Sequence, residues 1–183
     1  GVAVAEGGDQ PTMKLHTSHT ALIEKVAAAH KKVIVLLSNG NPLEMPWINN
    51  VSAVLEGYLA GQAGASAQAD ILLGKVNPSG KIGETFPIKL EDNPSHPYFP
   101  GGPSAVEYRE SIYVGYRYYD TANAPILFPF GHGLSYTTFE YHDLHVQAQK
   151  DSAKITFKVK NTGNRSGKEA VQIYVRDVES SHF

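Results

Sequence analysis

Residues 33–37, Val-Ile-Val-Leu-Leu, form an unbroken β-branched and aliphatic run, the pattern of a strand covered on both faces. Ahead of it, Leu22, Ile23, Val26 and Ala27 recur at helical spacing. They predict a helix over 21–29 that Ser18 caps. Lys31 and Lys32 would close its last turn, where cations suit the helix dipole. "SNGNP" (38–42) reads as the loop leaving the carboxyl end of the strand. A second strand is predicted within 51–58, where Val51, Ala53, Val54 and Leu55 cluster, and a small-residue helix over 65–73. Gly57, Gly61 and Gly64 around that helix permit close backbone approach. "NPSGK" (77–81) is a tight turn before a short strand at Thr85-Phe86. Strand and helix in alternation predict an α/β layer, a partial αβα sandwich with mainly parallel strands.

The pattern then breaks. "LEDNPSHPYFPGGPS" (90–104) has no period and reads as a long loop, of a length that is usually functional or disordered. Seven of the ten tyrosines fall between 91 and 137, and the density over Tyr108–Asp120 predicts an ordered segment packed on something. From Phe139 the period becomes two. "FEYHDLHVQAQ", "AKITFKVKNTG" and "EAVQIYVRD" predict three antiparallel strands, with Ile155, Phe157 and Val159 on one face of the second. Three strands in about 45 residues amount to roughly half of a β-sandwich. The organisation expected is an α/β domain over 1–137 and a truncated β domain over 138–183. The chain opens on Gly1 with neither Met nor signal-type core and stops in "VRDVESSHF", so a fragment of a longer protein is expected.

Composition narrows the function classes. Apolar residues make up 42% and charged residues 19%, a globular balance rather than a disordered one. Sixteen Lys+Arg against eighteen Asp+Glu leave a net charge of −2, which removes the electrostatic reason to expect nucleic acid or an anionic membrane as partner. No apolar run approaches the ~18–20 residues of a membrane helix. Zero Cys excludes disulfides, thiol nucleophiles and Cys-based zinc sites, and tilts the balance toward a cytoplasmic setting over a secreted one.

The chemistry-bearing residues are few. The eight histidines include His16/His19 and His142/His145 at i,i+3 spacing, but neither pair has a third ligand at a recognisable interval, and no HExxH occurs. No metal and no cofactor is therefore expected. "GLS" (133–135) is not a nucleophile elbow. "AEGGD" (5–9) is different: Glu6 and Asp9 directly follow an apolar strand, where α/β folds place ligand sites. Read alone, it is better taken as an acidic turn or a cap for the following helix.

Taken in order, "VIVLLSNGNPLEMPW", "VLEGYLAGQAGASAQADILLGKVNPSGKIGETFP", "VEYRESIYVGYRYYD" and "FPFGHGLSYTTFEY" closely resemble the C-terminal half of family three glycoside hydrolases, the β-glucosidase and β-xylosidase group. "VKNTGNRSGKEAVQIYV" resembles the opening of the fibronectin type III-like domain that follows in many members. The resemblance implies an upstream barrel carrying a nucleophilic Asp, and a β-glucoside or oligosaccharide substrate. It also implies an acid/base Glu on a loop of the α/β sandwich, in a string like "EGFDR". Glu6-Gly7-Gly8-Asp9-Gln10 occupies that place, with Gly8 for the aromatic and Gln10 for the Arg. Glu6 is thus the candidate general acid/base, and Asp9 a supporting residue that orients the loop. The chain alone is expected to be inactive. The alternatives are a β-xylosidase of the same family and a non-catalytic carbohydrate-recognition module. In "FPFGHGLSYTTF", Gly131 and Gly133 are expected to set the turn, and His132 to be structural. Trp47 and the tyrosines between 113 and 119 are expected to pack rather than stack on sugars, and "SGK" turns and Lys/Arg positions to be solvated surface.

Overall fold

Thirteen residues, Thr17–Ala29, make helix α1. Its cap is His16 rather than Ser18: the imidazole Nδ1 accepts from the Ser18 N–H at 3.3 Å and lies 2.7 Å from Ser18 Oγ. Ser18 sits inside the first turn, its hydroxyl taken up by the ring. The helix ends at Ala29, where His30 N–H closes on Val26 O, so Lys31 and Lys32 lie beyond it. The computed structural model describes residues 10–176 and 178–179.

The apolar run becomes β1, Ile34–Leu37, and the second becomes β2, Ala53–Glu56. They pair in parallel, Ile34 opposite Ala53 and Leu37 opposite Glu56. Contrary to the expectation of two covered faces, only one is packed. Leu37 is buried and Val35 half-buried, while Ile34 and Leu36 are exposed. A parallel pair needs a layer on each side to bury both, and the described residues supply one. Helix α2, Gly64–Leu72, follows β2. Gly57 is where a side chain could not fit: its Cβ would meet the Gln68 amide at 2.2 Å and Leu37 O at 2.9 Å. Gly61 faces open space and is required instead for its φ of +67°.

A two-residue strand, β3 (Phe86–Pro87), pairs antiparallel with β4 (Ile126–Phe128). Between them the long loop contains short 3-10 turns at Leu90–Asp92 and His96–Tyr98. The tyrosine-rich segment yields helix α3, Tyr116–Ala122. The core is Leu37, Leu43, Met45, Trp47 and Phe86, with Ile23, Val35, Val54, Tyr58 and Phe128 packed against it. Trp47, 1% exposed, is core. Burying such a side chain is worth roughly 2–3 kcal/mol, which makes it a principal anchor of the layer.

The chain divides into two compact units, one of residues up to 75 with 82–132, the other of 76–81 with residues from 133 on. The second is built on a hairpin, β5 (Phe139–Ala148) and β6 (Ala153–Asn161), paired antiparallel with a register shift between His142 and His145. The third expected strand is not formed: residues 169–176 carry no ladder. "NPSGK" belongs to this unit. Asn77 donates to Ser166 O and accepts from Ser135 Oγ and Tyr136 N–H. Lys81 is not solvated as expected: its side chain is 18% exposed, donates to Gly133 O at 2.6 Å and faces Glu169 at 3.6 Å. No helix among the described residues is long and apolar enough to cross a membrane.

Candidate active site

The first unit carries a cleft of about 930 Å³. Its walls come from the loop after β1 (Gly40, Asn41, Pro42), from Leu59 after β2, from the 83–87 segment and from Tyr116 and Arg117 of α3. Loops leaving the carboxyl ends of parallel strands are where α/β folds gather binding groups. Gln10, the first described residue, also lines it. Glu6 and Asp9 lie outside the described residues, one to four positions before that wall along the chain.

Beside the cleft, part-buried polar contacts tie the strand ends together. Asn39, fully buried, donates to Asn41 O at 2.8 Å and to Glu56 Oε2 at 3.2 Å. The other oxygen, Glu56 Oε1, accepts the Tyr58 N–H at 2.9 Å. One carboxylate therefore ties the β1 loop to the β2 loop. Ser38 Oγ adds a bond to Tyr58 O at 3.3 Å. Farther along, Glu44 Oε1 accepts the Leu90 N–H at 3.3 Å, and Glu44 N–H donates to Met13 O, so Glu44 links two lining residues of the cleft.

Two carboxyls here are electrostatically unusual. Burial pushes the Glu56 pKa up, against the pull of the Tyr58 N–H and the Asn39 amide. Burial also pushes Glu84 up; the Tyr58 hydroxyl opposes this and the Glu56 charge adds to it. The Tyr58 phenol, buried and close to both carboxyls, is pushed up to about 12. Its hydroxyl lies near enough to Glu84 for each to feel the other's charge, without a hydrogen bond of ordinary geometry. Tyr119, in the cleft wall, is likewise raised to about 12, first by burial and then by Tyr118 and Asp92. Half-buried carboxyls whose pKa is pushed upward are a common feature of sites that move protons or bind hydroxyls.

Among the described residues no group of three or more His, Asp or Glu could hold a metal ion. His132 stacks on Phe128 at 4.9 Å between ring centroids, and its carbonyl accepts the Ile82 N–H. Gly131, at φ +80°, makes the turn before it. Neither Glu84 nor Glu56 announces itself in the sequence. "IGETFP" reads as a turn and a strand, and Glu56 as the end of a strand; their chemistry arises only once Tyr58 brings them together.

Comparison with known proteins sets this geometry in a family. Residues 2–136 match the glycosyl hydrolase family 3 C-terminal domain. Thermostable beta-glucosidase B of Acetivibrio thermocellus is 53% identical over 181 residues, covering 97% of this chain and 24% of that protein. An exo-α-(1→6)-L-arabinopyranosidase of Bifidobacterium longum is 42% identical over 173 residues, covering 93% of this chain and 23% of its own length. The solved structure of beta-glucosidase 3B from Thermotoga neapolitana in complex with α-D-glucose superposes with a TM-score of 0.81 at 43% identity, over 85% of this chain and 23% of that one. The chain thus spans about a quarter of these relatives. With the α/β unit and the matched residues in agreement, the chain belongs to glycoside hydrolase family 3, of which it forms C-terminal domain sequence.

Proposed function

We propose that the chain is part of a retaining β-glucosidase that removes terminal β-D-glucosyl residues, with Glu6 as general acid/base. The 53% identity to a thermostable beta-glucosidase over almost the entire chain carries this reading. In such an enzyme a nucleophilic Asp comes from a barrel domain outside these residues. Retaining chemistry needs the two carboxyl groups about 5–5.5 Å apart. Glu6 first gives its proton to the glycosidic oxygen as the nucleophile forms the glycosyl-enzyme. The resulting Glu6 carboxylate then takes a proton from the water that releases the sugar. Asp9 orients the loop between them. Gln10 in the cleft wall supports this placement, since Glu6 is only four residues away along the chain. We read the β5–β6 hairpin as the start of a fibronectin type III-like domain.

A second reading, cleavage of α-L-arabinopyranosides, is favoured by the 42% identical relative named for that activity. A β-xylosidase and a non-catalytic carbohydrate-recognition module are the further alternatives. The test is hydrolysis of aryl glycosides by the parent protein, barrel included. A β-glucosidase prefers the aryl β-glucoside in kcat/KM over the β-xyloside and the α-L-arabinopyranoside. Preference for either of the latter would replace the sugar assignment, and inertness toward all three would leave the recognition module. The 183-residue chain alone turns over none of them.

A further inference from the structure

We propose that Glu84 is a saccharide-binding residue of the cleft, its carboxyl group engaging neighbouring sugar hydroxyls, with the Tyr58 phenol beside it. The inference rests on the glycosidase reading and adds to it a residue far in sequence from Glu6.

Glu84 stands in the wall of the cleft between Gly83 and Thr85. A half-buried carboxyl is ordinarily matched by a cation, yet no salt bridge of the described residues includes it. Behind it is Tyr58, whose backbone φ of +45° belongs to the left-handed region that favours glycine. That conformation is held at both ends, by the Tyr58 N–H on Glu56 Oε1 and by Ser38 Oγ on the Tyr58 carbonyl. A bulky residue kept in a costly conformation beside a pocket is more often a site feature than a packing accident. Here it sets a buried phenol, with no hydrogen-bond partner of ordinary geometry, next to the Glu84 carboxyl.

The rest of the cleft indicates the ligand. Asn41, Asn93 and Arg117 are polar residues of its lining, beside Tyr116 and Phe130, whose rings lie 5.3 Å apart. Dispersed polar groups beside aromatic faces suit a neutral, hydroxyl-rich molecule with apolar C–H faces. A carboxylate accepts from two neighbouring hydroxyls. When protonated it donates to one and accepts from the other. The upward pKa of Glu84 is compatible with either form.

The test uses the full-length parent enzyme and a β-linked glucosyl disaccharide, with the set of analogues in which each hydroxyl is removed in turn. Glu84→Gln is expected to raise KM about tenfold while kcat stays within about threefold, the scale of a lost charged hydrogen bond. The decisive readout is non-additivity: the analogue lacking the hydroxyl that Glu84 holds loses little more on Glu84→Gln, while the others lose the full factor. Tyr58→Phe should weaken the same interaction by a smaller factor. Glu84→Asp, run in the same cycles, covers the case in which the Gln variant does not fold. Equal losses on every analogue, or an unchanged KM, in an active enzyme would overturn this inference alone. A wild type inert on every glycoside would remove the glycosidase reading and this inference with it.

Discussion

Asn39 has no exposure and three tasks: it holds Asn41 O, holds Glu56 Oε2, and fills space at the end of β1. Replacing it with Asp keeps the volume and sets a second carboxylate 3.2 Å from the first. Like charges this close cannot both ionise cheaply. Glu56 already has a folded pKa above its ordinary value, so its native form keeps a proton to higher pH than its unfolded form does. Its contribution to stability is therefore greatest below about 4.5 and declines as pH rises through the folded value. Asn39→Asp steepens that decline. We expect a loss of about 3 kcal/mol at pH 7, read as a lower thermal midpoint, with the gap from wild type closing toward pH 4. A gap that stays constant across that range would mean the two carboxyls do not interact. None of this was legible in "SNGNP", which reads only as a loop, because Glu56 is seventeen positions away and meets Asn39 only through the parallel register.

At the scale of elements, periodicity located α1, β1, β2, α2, β5 and β6 but not what borders them. His16 capped α1 because its ring nitrogen reached the Ser18 N–H first, a competition that spacing does not reveal. The alternation in 169–176 matched that of β6, yet no ladder formed there; alternation states which side chains would share a face and not whether a partner strand is within reach. Lys81 reads as surface but is a half-buried hydrogen-bond donor, because Gly133 lets the backbone close on the turn: a Cβ at Gly133 would meet Gly80 O at 2.4 Å. The hairpin also carries a testable irregularity. Asp143, at the register shift, has φ +53° and faces Lys158 Nζ at 2.7 Å, with both side chains largely exposed. An exposed pair of this kind contributes little, whereas relief of a left-handed backbone helps. Asp143→Gly should be neutral or up to about 1 kcal/mol stabilising, and Asp143→Val, β-branched, destabilising by at least that much. Denaturant midpoints that rank Val above Gly would mean that the left-handed backbone at 143 is not what limits stability there, since both variants lose the Lys158 pair alike.

For the molecule as a whole, the fold class was readable early, because a parallel α/β pattern and a period-two tail occupy separate stretches of sequence. The exposure of its apolar faces was not. Ile34 and Leu36 on β1, Leu144 and Val146 on β5, and Val171, Ile173 and Val175 beyond β6 are all exposed. Such surfaces normally meet another layer, and the matched relatives are about four times longer than this chain. The 183-residue chain is therefore expected to self-associate: light scattering at tens of micromolar should give a mass above the 19.9 kDa monomer. A monodisperse monomer would mean these faces are covered by the chain itself. The central claim, that this sequence contributes the acid/base of a retaining glycosidase, is tested most directly by Glu6→Ala in the full-length enzyme acting on dinitrophenyl β-glucoside. Loss of general base should slow deglycosylation by about 10²–10⁴-fold, and added azide, which needs no base, should restore turnover and yield β-glucosyl azide, while Asp9→Asn shows no such rescue. Turnover of Glu6→Ala that azide leaves unchanged, or rescue of Asp9→Asn instead, would assign the role to another residue.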